Sequence, residues 1–369
     1  MKWSWRLGRV FGIDVFVHAT FLMLLAWVGI SHYTRDGSVR GAISGVVFTL
    51  LVFAIVVMHE LGHALTARSF GIKTSDITLL PIGGVARLER LPEKPRQELL
   101  VAIAGPAVNI ALAFSIYAWL RLAHVPLAPP GEEAGMAATP LLSKLFWVNI
   151  SLAVFNLLPA FPMDGGRALR ALLALRRDYV SATHTAAMLG QAIALLLGLV
   201  GLFHNPVLVF IAWFVWIGAA NESGAVQTKA ALSGVPVQAA MVTDFRTLRV
   251  DEPLSSAARA LLAGSQREFP VVDTAGVPAG VLSRIDMVRG LSEGGPDSAI
   301  GTYMSAKIGL CDPREMLVDA MARLRSEEGS MMMVVTPDHR LVGLLTAENI
   351  GELLTLNQAL AARTERTTS

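Results

Sequence analysis

Cysteine is almost missing from this sequence. Cys311 is the only one in 369 residues. That excludes an internal disulfide framework and any zinc site built from thiolates. Charge is scarce too, with 16% of residues charged against 53% hydrophobic and a mean hydropathy of +0.52. A soluble chain of this length is far less apolar, and here the apolar residues come in long blocks. The net charge of +2 offers no basic footprint, so no nucleic-acid partner is expected. No small-residue cleavage site follows the start Met1-Lys2-Trp3-Ser4-Trp5-Arg6. The apolar run 10–30 is therefore expected to be kept as a helix. Cys311 itself reads as a small core residue of a cytosolic domain.

What is present is a set of six candidate membrane spans, at about 10–32, 41–69, 98–122, 141–161, 183–203 and 206–220. Lys2, Arg6 and Arg9 precede the first. Arg68, Lys73, Arg87, Arg90, Lys94 and Arg96 lie in the second loop, and Arg167, Arg170, Arg176 and Arg177 in the fourth. The first and third loops carry only Arg35, Arg40, Arg121 and Lys144. Basic loops face the cytoplasm. The expectation is a multi-pass protein of the cell membrane, embedded in lipid, with its N-terminus and C-terminal third cytoplasmic.

The second span contains His59-Glu60-Leu61-Gly62-His63, an H-E-x-x-H pattern. On a helix the two histidines face the same way, so their imidazoles can share one zinc ion and Glu60 can act as its general base. Alone the pattern recurs by chance, but two imidazoles and a carboxylate are costly in a membrane span and persist where they have work or a partner. Ser75–Leu88 reads as strand, glycine-rich turn at Gly83-Gly84, strand. This hairpin is either a surface feature or one that dips into protein, since an open edge cannot face lipid. Asn109 follows Gly105-Pro106 in the third span and reads either as a contact to the active region or as a helix-packing bond. His18 in the first span is expected to bond a neighbouring helix rather than line a site. The fourth span ends at Asn156-Leu157-Leu158-Pro159, and Asp164-Gly165-Gly166 follows on broken backbone. Asp164 by itself reads as an interfacial cap. Spans two and four run in the same direction, however, and place Asp164 level with the histidines. Two histidines, a carboxylate and water make a catalytic zinc set.

Together these motifs, in this order over residues 10–220, resemble the site-2 protease family of intramembrane zinc metalloproteases (peptidase family M50). The resemblance implies one zinc ion per chain held by His59, His63 and Asp164, with Glu60 as catalytic base. It implies that Asn156 positions substrate or stabilises the oxyanion. Asn109 would join it in positioning, and Gly83 and Gly84 would mark a hairpin that receives an unwound substrate. It also implies a membrane-spanning substrate, such as an anti-sigma factor or similar regulator. No PDZ-like insert separates the spans.

From Asn221 onward the pattern changes to short strands alternating with helices. An internal repeat runs at a constant offset of 63 residues. Met241 matches Met304, Val271-Val272 match Val334-Val335, and Gly280-Val281-Leu282-Ser283 match Gly343-Leu344-Leu345-Thr346. The repeat resembles a pair of cystathionine-beta-synthase (CBS) domains. Such pairs bind adenine nucleotides in their clefts. Ser283 with Asp286, and Thr346 with Asn349 in place of the acid, would hold the ligand. Ser283 and Thr346 equally read as helix caps. A homodimer through these domains is a separate expectation.

The expected fold is thus a polytopic α-helical membrane domain of about six spans with a membrane-associated β-hairpin, followed by a cytosolic α/β tandem CBS module. The expected parts are a metalloprotease domain at 1–222, a linker at 223–235, CBS domains at 236–292 and 299–355, and a disordered tail at 356–369. The expected function is intramembrane zinc-dependent proteolysis modulated by the CBS pair. The alternative is a nucleotide-gated transporter or channel.

Overall fold

The computed structural model describes residues 3–89, 92, 94–129, 141–326 and 331–368. It forms two compact units, Met1–Val226 and Gln227–Ser369.

The first unit opens on strands where a membrane span was expected. Strands β1 (Ser4–Val10) and β2 (Ile13–His18) pair antiparallel. The turn between them uses left-handed backbone at Phe11 (φ 50°) and Gly12 (φ 86°). Ile13, Val15 and Val17 are buried, whereas Asp14, Phe16 and His18 are half-exposed, the two-residue period of a pleated strand. The first span is therefore corrected: helix begins only at α1 (Ala19–Asp36). His18 bonds the start of the helix that follows it. Its Nδ1 accepts from the Thr20 amide at 3.3 Å and caps α1.

Helix α2 (Val39–Ser69) carries two working faces. Val57, Leu61 and Ala64 pack on Ile13 and Ile77, and Phe53 packs with Val17, Phe21 and Leu79. These contacts are to the sheet, with Phe21 added from α1. His59 and His63 lie on the other face. The hairpin expected after α2 forms as β3 (Thr74–Leu80) and β4 (Gly83–Leu88). It completes a sheet of order β1-β2-β3-β4, in which β2 and β3 run parallel.

Helix α3 (Pro95–Leu122) starts with Pro95 in its first turn, where the missing N–H costs nothing. Helix α4 (Leu141–Asn156) ends five residues short of the expected 161. Pro159 and Pro162 lie in the irregular stretch that follows. Helix α5 (Asp164–Ala174) then begins at the acid itself. Helices α6 (Tyr179–His204) and α7 (Pro206–Leu232) complete the set. Among the described residues, α2, α3, α6 and α7 are long and apolar enough to cross a membrane, α4 is apolar but shorter, and α1 is not among them. Trp119, Phe203 and Trp213 are exposed on them, as side chains facing lipid would be. The stretch 223–232, expected to be linker, is helix continuous with α7.

The second unit realises the sequence repeat. Strands β5 (Leu248–Arg249), β6 (Glu268–Val272) and β7 (Pro278–Ser283) form one sheet; β8 (Gly309–Cys311), β9 (Met331–Val335) and β10 (Leu341–Thr346) form another. Helices α8 (Leu254–Ala263), α9 (Arg284–Glu293) and the short α10 (Ile300–Tyr303) accompany the first, and α11 (Leu317–Ser326) and α12 (Ala347–Thr368) the second. The lead-in segments are exchanged. Val242, near the start of the first repeat, bridges Leu344 of the second, and Ser305, near the start of the second, bridges Val281 of the first. Leu232 and Val237 sit in the core with Cys311, Leu317 and Val334, while Ile300 sits in the core with Leu248 and Phe269. The boundaries expected at 236 and 299 thus divide chain segments, not cores. The tail expected to be disordered continues α12 to Thr368, and its Leu356-Asn357-Gln358-Ala359-Leu360 sequence is rich in helix formers.

Candidate metal centre

Helix α2 brings His59 and His63 one turn apart, and the start of α5 brings Asp164 against both. Their Nε2 atoms are 3.1 Å apart, and Asp164 Oδ2 lies 3.2 Å from His59 Nε2 and 3.0 Å from His63 Nε2. All three residues are buried. Zinc–nitrogen bonds of about 2.0–2.1 Å in a tetrahedron separate ligand atoms by roughly 3.3 Å, so the triangle has the size of a zinc site.

Hydrogen bonds behind the rings fix which atoms face inward. The His63 Nδ1–H donates to the Val101 carbonyl at 2.7 Å. Asn149 Nδ2 donates to the Leu145 carbonyl at 2.9 Å, so its Oδ1 accepts from Asn109 Nδ2 at 3.2 Å. Asn109 Oδ1 is then left to accept from His59 Nδ1–H at 2.6 Å. With both Nδ1 atoms donating, neutral imidazoles turn bare Nε2 lone pairs toward each other and toward a carboxylate oxygen. Three proton-free acceptors in mutual contact repel unless a cation sits among them. The donor set therefore fits a zinc ion, and the second-sphere bonds are those that orient metal-binding histidines.

Gly105 faces this point. A Cβ there would lie 2.2 Å from His63 Nε2 and 2.7 Å from His59 Nε2. The absence of a side chain at Gly105 thus leaves room for the centre itself.

The triangle opens on a cavity of about 340 Å³. Glu60, Gly83, Gly84 and Asn156 line it, as expected of site residues, together with Glu98 and Arg167. A Cβ on Gly84 would lie 2.9 Å from Glu60 Cγ, so β4 runs close against that carboxylate. Asn109 makes both bonds left open from sequence, to His59 of the centre and to Asn149 of α4; only the expectation that it positions substrate is corrected. It is fully buried and outside the cavity lining, held behind His59. Asn149 and Glu98 were not singled out from sequence, although each is a polar residue in an apolar helix. In the second unit, Ser283 Oγ accepts from the Asp286 amide and donates to its carboxylate, and Thr346 Oγ1 accepts from the Asn349 amide and donates to its side-chain amide oxygen. All four residues are engaged in capping α9 and α12.

The family model for peptidase family M50 matches residues 47–127 and 122–199, and that for the CBS domain matches residues 237–293. The zinc metalloprotease MJ0392 of Methanocaldococcus jannaschii is 33% identical over 275 residues, covering 74% of this chain and 76% of that protein. Stage IV sporulation protein FB of Bacillus subtilis is 32% identical over 169 residues, covering 46% of this chain and 54% of that protein. Among solved structures, the site-2 protease from Methanocaldococcus jannaschii matches at 37% identity and a TM-score of 0.44, over 60% of this chain and 95% of that one.

Proposed function

The chain belongs to peptidase family M50, the site-2 protease family, and on that premise we propose that His59, His63 and Asp164 hold one zinc ion and that Glu60 moves the protons of peptide hydrolysis. The protein is an intramembrane zinc metalloprotease of multi-pass architecture that acts on membrane proteins and carries a CBS module. The observation that supports the ligand assignment best is the convergence of three potential ligand atoms, two imidazole nitrogens and a carboxylate oxygen, within 3.2 Å of one another. Family membership sets the transporter alternative aside.

Zinc, when bound, supplies a Lewis acid that polarises the scissile carbonyl and brings the pKa of water toward about 7. Glu60 takes a proton from the attacking water and delivers it to the leaving amine nitrogen, so one water is consumed for each peptide bond broken. A helical substrate hides its peptide groups and must unwind locally first. Strand β4 is the edge of its sheet and borders the cavity. An unwound segment adds there as a further strand, which satisfies backbone groups that lipid cannot. Asn156 lies on the cavity wall and positions the carbonyl or its oxyanion.

The basic loops support a cytoplasmic N-terminus and CBS module. The family resemblance supports a membrane-spanning regulator as substrate, such as an anti-sigma factor. The exposed Leu262, Ile285 and Val288 on α8 and α9 support pairing of the module with a second copy. An adenine nucleotide in the module would draw Ser283 and Thr346 out of their caps. Titration calorimetry with ATP, ADP and AMP tests this, and absence of heat from all three removes the nucleotide.

The deciding experiment is co-expression with candidate single-span proteins, comparing the native chain with Glu60→Gln. Cleavage is expected to fall by about 100-fold or more with zinc retained. Cleavage at the native rate would reject the assignment.

A further inference from the structure

A second buried polar cluster lies in the same unit, and the chemistry above does not use it. Arg170 is completely buried. Its Nε donates to Glu98 Oε1 at 2.8 Å, and its Nη2 reaches the same oxygen. Its Nη1 donates to Glu222 Oε1. The guanidinium lies 5.1 Å from the Phe161 ring centre and 5.0 Å from that of Tyr179, whose hydroxyl is 3.4 Å from Glu98 Oε1. Glu98 Oε2 is buried without a hydrogen-bond partner among the described residues.

Stability does not account for this cluster. Charges taken out of water cost several kcal/mol each, and well-packed apolar residues often hold such a place as well or better. What an ion network adds is direction. We propose that Arg170 is the positioning residue of the metal centre: it locks the helix bearing Asp164 to α3, which already holds both imidazoles. This rests on the ligand assignment above. Val101 and Asn109 of α3 fix His63 and His59, and Glu98 lies on the same helix. Arg170 sits six residues beyond Asp164 on the 11-residue α5, about 9 Å along its axis. The chain before Asp164 is irregular from 157 to 163, so no continuous helix sets the height of the carboxylate. The Arg170–Glu98 bond sets it instead, and Glu222 holds the guanidinium from α7.

The test uses the full-length protein in detergent. A triple variant, Arg170→Met with Glu98→Gln and Glu222→Gln, removes the network without stranding a buried charge. Zinc affinity is read by chelator competition, and ligand geometry by the visible spectrum of the cobalt-substituted protein. The expected result is a thermal midpoint within a few degrees of native, with zinc binding weakened 10–100-fold and a changed cobalt spectrum. Native zinc affinity and a native cobalt spectrum would overturn the proposal. Arg170→Lys settles it if the triple variant misfolds. It keeps the charge but cannot fork between two carboxylates, and unchanged zinc affinity there would equally sink the idea. His59→Ala separates the two layers. Loss of zinc in His59→Ala beside full retention in both Arg170 variants rejects only the positioning role; retention in His59→Ala rejects the ligand assignment itself.

Discussion

Single atoms decide the chemistry of this protein, and Gly105 is the sharpest case. Any side chain there would occupy the space where the imidazole nitrogens converge. Gly105→Ala is expected to reduce zinc binding at least 100-fold, by metal analysis after dialysis. The accompanying loss of stability is about 1–3 kcal/mol, the usual cost of one overpacked methyl. A variant that keeps stoichiometric zinc would place the metal elsewhere. Cys311 offers a second test far from that site. Burial pushes its thiol up to about 12. The raised value leaves roughly one thiolate in ten thousand at pH 8. Iodoacetamide at pH 8 is expected to label the protein only after denaturation, and fast labelling of the native protein would contradict the burial. The place of Cys311 in a core was legible from composition. The network behind the imidazoles was not, because Asn109, Asn149 and the Val101 carbonyl meet only through tertiary packing.

Among the elements, those with strong local signals were readable from sequence. The apolar length of α2 and the glycine turn between β3 and β4 announce themselves within a few residues. The β1–β2 hairpin was hidden by its apolar content. Ile13, Val15, Phe16 and Val17 are as greasy as a membrane helix, and only Asp14 and the two-residue alternation betray a strand. The end of α4 was overrun because Leu157, Leu158 and Phe161 continue the apolar run past the point where the prolines end the helix. In the second unit, exchange of the lead-in segments gives a test on two matched strands. A Cβ on Gly280 of β7 would lie 2.7 Å from both the Ser305 backbone carbonyl and the Met304 sulfur, whereas the three atoms nearest to one on Gly343 of β10 all belong to the Met241 side chain. A side chain can move aside and a paired backbone cannot. Gly280→Ala is therefore expected to cost about 1–3 kcal/mol and Gly343→Ala less. Hydrogen exchange of β6 and β9 amides in the full chain measures both, and equal costs would argue against the exchanged pairing.

At the scale of the whole molecule, α3 is where the parts of the centre meet: it buttresses both imidazoles and carries Glu98. The third donor arrives late, since Asp164 lies 101 residues beyond His63. A ribosome still making the fourth helix has already released both histidines into the bilayer, yet the nascent chain has nothing with which to cut. On the proposed ligand set, the peptidase is expected to be born inert and to become armed only when its second half is inserted and docks on the first. Two polypeptides divided between α3 and α4 and made in one cell should accordingly regain cleavage together, each alone being silent; activity from the first half by itself would refute this order of assembly.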